Sequence, residues 1–316
     1  MTTLKRTKTY VIASASLTGI ALFFALIPPP APRVGELSII VRKPPITAHA
    51  SVAPTATADN PPEIAYDIAR VRAGELDVPH IFLASLPADL VSVPSPATRK
   101  DLFVAMTLPL VLRANDEIAA DRARLLEITG HANTGATLND EDRAWLTTLA
   151  ESYDTDPDDL AELVNRVDVV PPSLALAQAA EESGWGTSRF ALEGNALFGQ
   201  RSAPSDADAL TPMGRDDDDS VRVRAYSGLI DGVRSYARNL NSHAAYKRFR
   251  QERARARAHG EPIDGHDLAG TLVRYSERGT AYVSSLRHLI RYNRLDDFDN
   301  VRLDVEFAVA SGKPNI

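Results

Sequence analysis

Residues 171–200 read PPSLALAQAAEESGWGTSRFALEGNALFGQ, an alanine-rich run that ends in paired glutamates and a glycine-flanked tryptophan. Pro171 and Pro172 suit a helix start, because proline fits a first turn and breaks an interior. Leu174 to Glu182 are mostly good helix formers, and Gly184 and Gly186 stop them. A glutamate in the last turn faces the negative end of the helix dipole, which disfavours its ionised form. Partial burial pushes its pKa the same way, towards the proton donor that a general acid must be.

Two glutamates compete for that position. Glu182 shares a helix face with Ala175, Gln178 and Ala179, a row expected to leave room for a ligand. Glu181 lies over Leu174, Ala177 and Gln178, nearer the expected packing face. The spacing favours Glu182 over Glu181. Taken from the helix alone, both could equally be surface glutamates.

The chain around this stretch is long enough for a substantial core, with 316 residues and 44% hydrophobic side chains. A net charge of −7 argues against general affinity for nucleic acid. There is no cysteine, which excludes disulfides and thiolate metal sites. The seven histidines show no ligand spacing, so neither metal nor cofactor is expected. Lys5, Arg6 and Lys8 precede an uncharged run from Tyr10 to Ile27. As a helix that run spans about 27 Å, close to a ~30 Å hydrocarbon core. Residues 1–27 are therefore expected to be a signal anchor or a signal peptide, with the remainder exported to the periplasm. Pro28-Pro29-Pro30 leaves no cleavage site close behind the apolar run, which favours an anchor formed by residues 10–27 in the inner membrane. Residues 28–62 hold nine of the 21 prolines and read as a linker stiffened towards polyproline II.

The folded part is expected to be mainly α, an α+β domain with a small β-hairpin and an N-terminal helical extension. Residues 63–165 form a helical lobe, 166–300 the domain bearing Glu182, and 301–316 a C-terminal tail. Glu63 to Arg72 predicts a short helix, and Ala97 to Ile128 a longer one or a pair broken near Pro109. Asn139 caps a helix through Trp145 and Leu149. Asp156-Pro157-Asp158-Asp159 starts one that ends near Arg166. Ser188 to Glu193 makes a short helix, and Val221 to Tyr226 alternates as a strand. Val233, Tyr236, Ala237 and Leu240 mark one further helix, and Tyr282, Leu286, Leu289 and Asn293 another. The basic run KRFRQERARARAH, residues 247–259, is expected to be a solvated helix face, with contact to anionic wall polymer as the functional option.

Ala-Gln-Ala-Ala-X-Glu-Ser-X-Trp-Gly, then Ser-Arg-Phe, Gly-Asn and Leu-Phe-Gly, resembles the N-acetylglucosaminidase domains of glycoside hydrolase family 73, the flagellar muramidases and autolysins. Within that family the pattern is most similar to Bax-type members. The resemblance extends upstream to IFLASLPADL and LPLVLRANDEIAADRARLL, and downstream through VRVRAYSGLIDGVRSYARNL and YSERGTAYVSSLRHLIRYN. It implies a lysozyme-like fold, an endo-β-N-acetylglucosaminidase activity and glycan strands of peptidoglycan as the partner. It assigns the catalytic role to Glu182, in agreement with the face argument. Trp185 and Phe198 become candidates for sugar subsites, since aromatic faces pack on sugar C–H groups. Gln178 and Ser183 fall within the matching motif. Tyr226, Tyr275 and Tyr282 fall in blocks that resemble the family's cleft tyrosines, and Tyr275 and Tyr282 share a helix face if the Gly279 region is helical.

Glycoside hydrolysis normally uses a second carboxylate. Asp216, Asp217, Asp218 and Asp219 lie where this family places its hairpin and a second acid, although four aspartates in a row are more often a solvated loop. The substrate's own acetamido oxygen is the other route, with Glu182 as the sole acid. A lytic transglycosylase or muramidase on the same fold, and a non-catalytic wall-binding module, are the alternative functions. One departure stands out. Relatives usually continue Leu-Phe-Gly-X with an aromatic residue, whereas here Gln200 is followed by Arg201 and a polar stretch.

Overall fold

The computed structural model describes residues 66–202, 209–211 and 222–304. Among them the fold is mainly helical, as expected. α1 (Ile68–Arg72), α2 (Pro96–Asn133), α3 (Asp140–Ser152) and α4 (Leu160–Arg166) come first. α5 (Pro172–Ser183), α6 (Arg189–Gly194), α7 (Leu229–Ser242), α8 (Lys247–Ala258), α9 (Gly265–Ala269) and α10 (Thr280–Tyr292) follow. The expected anchor and linker, residues 63–65 of the first helix, Asp216 to Asp219 and residues 305–316 lie outside the described residues. No described helix is long and apolar enough to cross a membrane.

α5 is the hub. Every residue from Pro172 to Ala180 is buried, and α2, α9, α10 and the turn at Leu295–Phe298 pack around it. Pro171 at its N-cap offers no side-chain acceptor. The role passes to Asp299, remote in sequence, which accepts from the Ser173 backbone N–H at 2.7 Å and from its hydroxyl at 2.8 Å. The Ser173 N–H is one of the backbone donors that a helix start leaves without partners. Gly265 closes the other side of this junction, because a Cβ there would stand 2.0 Å from the Ser173 hydroxyl.

The expected break at Pro109 does not occur. α2 runs unbroken for 38 residues with Pro109 inside it, about 57 Å at ~1.5 Å per residue. Proline lacks the N–H that would bond to Ala105 one turn back. Tyr66 supplies the replacement, its hydroxyl donating to the Ala105 carbonyl at 2.7 Å. α2 also holds the segment leading into α5, through a two-way Asn115–Val170 pair at 2.7 and 3.0 Å.

Other expectations shift in detail. α3 is capped by Asn139 as expected. α4 begins later than Asp156, with Asp159 capping it and Asp156 forming a local turn instead. α7 buries Val233, Tyr236, Ala237 and Leu240, the stripe read from the sequence, whereas α10 buries Tyr282, Val283, Leu286 and Ile290 and leaves Leu289 half-buried. The β-hairpin is reduced, among the described residues, to isolated bridges of Val223 with Arg201 and Leu210.

The basic run is the largest correction. α8 is not wholly a solvated face, because Phe249, Arg250, Arg253 and Ala256 form its buried stripe. Arg253, 0% exposed, donates to the carbonyls of Asp168 and Val169 and to Asn241 Oδ1 at 2.8–2.9 Å. Arg257 grips the Asp168 carboxylate with two bonds of 2.6 Å, and Arg122 stands 3.7 Å away. Burial raises the Asp168 pKa, but the Arg257 bonds and the charges of Arg253 and Arg122 outweigh it and leave the group low. Guanidinium forks can satisfy several loop carbonyls at once, which lets them be buried here. They rigidify the chain entering α5.

Candidate active site

The end of α5 is a sequence of unusual backbone turns. Gly184, Trp185 and Gly186 all take left-handed conformations, at φ 59°, 59° and 77°. For tryptophan that conformation costs roughly 1 kcal/mol, so surrounding contacts must hold it. The Ser183 hydroxyl bonds back to the Ala179 carbonyl at 2.5 Å and receives the Gly186 N–H at 2.8 Å. Phe103 packs its edge on the Trp185 ring. A Cβ at Gly186 would meet Leu86, Phe103 and Leu90 at 2.8–3.0 Å. This tight turn fixes the two glutamates immediately before it.

The glutamates have separate partners. Glu181 takes a salt bridge from Arg278 at 2.5 Å and a hydrogen bond from Ser285 at 2.9 Å. Glu182 is part-buried and accepts one hydrogen bond, from the Tyr282 hydroxyl to Oε1 at 2.8 Å. Burial raises its pKa most and Glu181 adds to that. Tyr282 and Arg278 oppose, and the result is a carboxyl pushed up to about 7. At neutral pH such a group is partly protonated and can donate a proton.

Behind Glu182 stands a chain of buried hydrogen bonds. The Tyr236 hydroxyl donates to Gln178 Oε1 at 2.7 Å, and Gln178 Nε2 donates to the Tyr282 hydroxyl at 3.0 Å. With its oxygen occupied by an amide donor, Tyr282 has its own proton free for Glu182. Burial first, and then the nearby Glu182 charge, hold Tyr282 well above the usual phenol range, so it remains a donor. Two ring stacks fix the geometry: Tyr275 on Tyr282 with centroids 5.4 Å apart, and Phe198 on Tyr236 at 3.8 Å.

The face that was expected to leave room for a ligand is therefore filled. Ala175, Gln178 and Ala179 are buried against neighbouring helices. Gln178, Ser183, Phe198 and Tyr275 build the wall behind Glu182, while Trp185 and Tyr226 are only part-buried. Tyr275 and Tyr282 do not share a helix, since Gly279 at φ 55° separates them, yet their rings stack. Tyr226 bonds elsewhere, its hydroxyl bonded to the side chains of Gln200 and Ser235. Tyr236 was read from the sequence only as a packing residue. A hydroxyl within an apolar stripe signalled that a buried partner was needed. Asp216, Asp217, Asp218 and Asp219 cannot be placed relative to Glu182.

Two further features lie apart from this arrangement. Asp264, His266 and Asp267 gather at the start of α9 with ligand atoms within 4.8 Å of one another, but both carboxylates are exposed and such a cluster alone does not make a metal site. A groove of about 450 Å³ between α8, α9 and α10 is lined through Val283, Ser284 and Arg287 rather than Tyr282.

Residues 132–295 match the protein family described as mannosyl-glycoprotein endo-beta-N-acetylglucosaminidase. The chain belongs to this glucosaminidase family. Membership accords with the mainly helical fold described above, and it points to glycoside hydrolysis of cell-wall glycan. Among similar proteins is Protein bax of Escherichia coli (strain K12), 30% identical over 220 residues that cover 67% of this chain and 75% of that one. The catalytic domain of the autolysin Auto from Listeria monocytogenes is 20% identical, with a TM-score of 0.33, over 55% of this chain and 97% of that domain. Matching residues begin at 132, so most of α2 and everything before it precede the family's segment.

Proposed function

We propose that this glucosaminidase domain hydrolyses peptidoglycan at the β-1,4 bond on the reducing side of N-acetylglucosamine, with Glu182 as general acid. The observation that carries the proposal is the state of that carboxyl. Burial holds its pKa at about 7, and its one hydrogen bond among the described residues falls on Oε1. A proton on Oε2 is then free to pass to the glycosidic oxygen as the bond breaks. Arg278 balances Glu181, so Glu182 is the carboxyl of the pair without a cationic partner in contact.

Residues 10–27, with the basic flank before them, support placing this activity in the periplasm and on the inner membrane. Membrane pelleting that survives alkaline extraction, with the domain protease-accessible in spheroplasts, is the expected result.

The test of the catalytic assignment is mass spectrometry of sacculi digested by the full-length protein in detergent, beside Glu182→Gln. Hydrated fragments with N-acetylglucosamine at the new reducing end are expected from the parent and none from the variant. Anhydro ends, or new ends at N-acetylmuramic acid, would make the protein a lytic transglycosylase or muramidase. Equal release by the variant would remove Glu182 from the mechanism, and binding without release by either would leave a wall-binding module.

A further inference from the structure

α10 continues past the glutamate pair with a stripe that is part-buried at Ser285 and exposed at His288 and Tyr292, and that the proposed reaction does not use. Ser285, His288 and Tyr292 are three and four residues apart, and so share one face. Ser285 holds Glu181 at one end. Tyr292, 71% exposed and stacked on His288 with centroids 5.4 Å apart, stands at the other. No other exposed large hydrophobic side chain among the described residues exceeds 46%.

Lys100 of α2 reaches this end of the stripe. Its Nζ lies 4.8 Å from the Trp185 ring centroid and 5.3 Å from that of Tyr292, and it donates to Asn293 Oδ1 at 3.0 Å. Ring faces attract an ammonium without neutralising it. Asn293 uses one of its three donors. No carboxylate among the described residues pairs with it, in contrast to Arg278 beside Glu181. Trp185 is three residues beyond Glu182, so an uncompensated cation, flanked by two aromatic rings, stands next to the turn that positions the general acid.

We infer that Lys100, Trp185 and Tyr292 form a subsite that recognises a carboxylate borne by the glycan strand, with the rings packing on the attached chain and the ammonium pairing with the anion. The inference rests on the reading of Glu182 as a peptidoglycan hydrolase's acid. Each N-acetylmuramic acid of peptidoglycan offers a carboxylate from one of two sources, the peptide stem where one is attached or the lactyl group where the stem has been removed, whereas an N-acetylglucosamine homopolymer offers none. Lys100 precedes residue 132, so the charged member of the subsite lies outside the segment matched to the family model, while both rings lie within it.

The test measures binding in the Glu182→Gln background, so that it does not depend on turnover. Full-length protein in detergent is titrated with peptide-bearing strands, with strands stripped of peptide by an amidase, and with neutral N-acetylglucosamine oligomers. Lys100→Met should weaken binding to charged strands about fivefold more than binding to neutral oligomers, and flatten its salt dependence. Lys100→Arg should retain binding. Loss only on stripped strands assigns the lactyl carboxylate, loss only on peptide-bearing strands assigns the stem, and loss on both shows that the ammonium accepts either anion. Equal effects on charged and neutral ligands, or none on either charged strand, overturn the subsite. Failure of the Glu182→Gln digestion test would instead overturn the catalytic reading, independently of these affinities.

Discussion

Replacing Tyr282 with phenylalanine removes the hydrogen bond at 2.8 Å that Glu182 receives, while the ring stack on Tyr275 is kept. The hydroxyl donates to the carboxylate and so favours the ionised form; without it the proton is held more tightly. A bond to a charged group contributes about 1.5–3 kcal/mol. At ~1.36 kcal/mol per unit, that moves the carboxyl up by about one to two units. The starting value is about 7. A general acid works while protonated, so the fall in kcat/KM at alkaline pH should move to higher pH by at least about one unit. The plateau rate should also drop, because Oε2 is no longer aimed by a partner on Oε1. Initial rates on soluble glycan strands between pH 5 and 10 measure both effects. An alkaline limb that stays in place, or moves to lower pH, would refute the role given to Tyr282.

Glu182→Gln should be more stable than the parent at pH 8 and equal to it near pH 4. The folded pKa of about 7 exceeds the unfolded 4.5, so stability is full below 4.5 and is lost as pH rises through 7, by at most ~3 kcal/mol. Melting curves across that range check it, and a variant less stable at pH 8 would contradict a buried, strained carboxyl. Gly186→Ala, at φ 77° and with side chains within 3.0 Å of the new Cβ, should cost about 2–3 kcal/mol and loosen the turn that carries Glu182. Denaturant midpoints will show it, and a change under ~0.5 kcal/mol would mean the lobe yields freely. Tyr66→Phe leaves the Ala105 carbonyl without its donor and should cost about 1–2 kcal/mol by the same measurement; no loss would show that Pro109 needs no compensation.

The end of α5 just beyond Glu182 was legible because a helix stop and its two glycines are local features, and local features survive without knowledge of the fold. The same holds for the Asn139 cap and for the short helix that starts at Ser188. What could not be read were choices settled by distant partners. Pro109 breaks a helix in isolation and does not break α2, because Tyr66 lies across from it. Arg250 and Arg253 look solvated in a basic run, yet loop carbonyls far away in sequence draw Arg253 inside. The Ala175–Gln178–Ala179 face looked open because small residues mark either a cleft or close packing, and Tyr236 and Tyr282 decide for packing. Asp299 as the cap of α5 was invisible for the same reason.

The turn at Gly186 leans on Leu86, Leu90 and Phe103, all of which precede residue 132, where the match to the family model begins. The unit that holds Glu182 in place therefore extends beyond the segment matched to the family model. A piece trimmed to residues 132–295 would leave bare the pocket into which the tryptophan turn presses, and Glu182 would lose its footing along with Lys100 and most of α2. Evolution could swap the chain ahead of residue 132 only together with the residues that receive it. Sequence drift should then be correlated across that boundary, and chimeras joined there should fold poorly even when each half comes from an active enzyme.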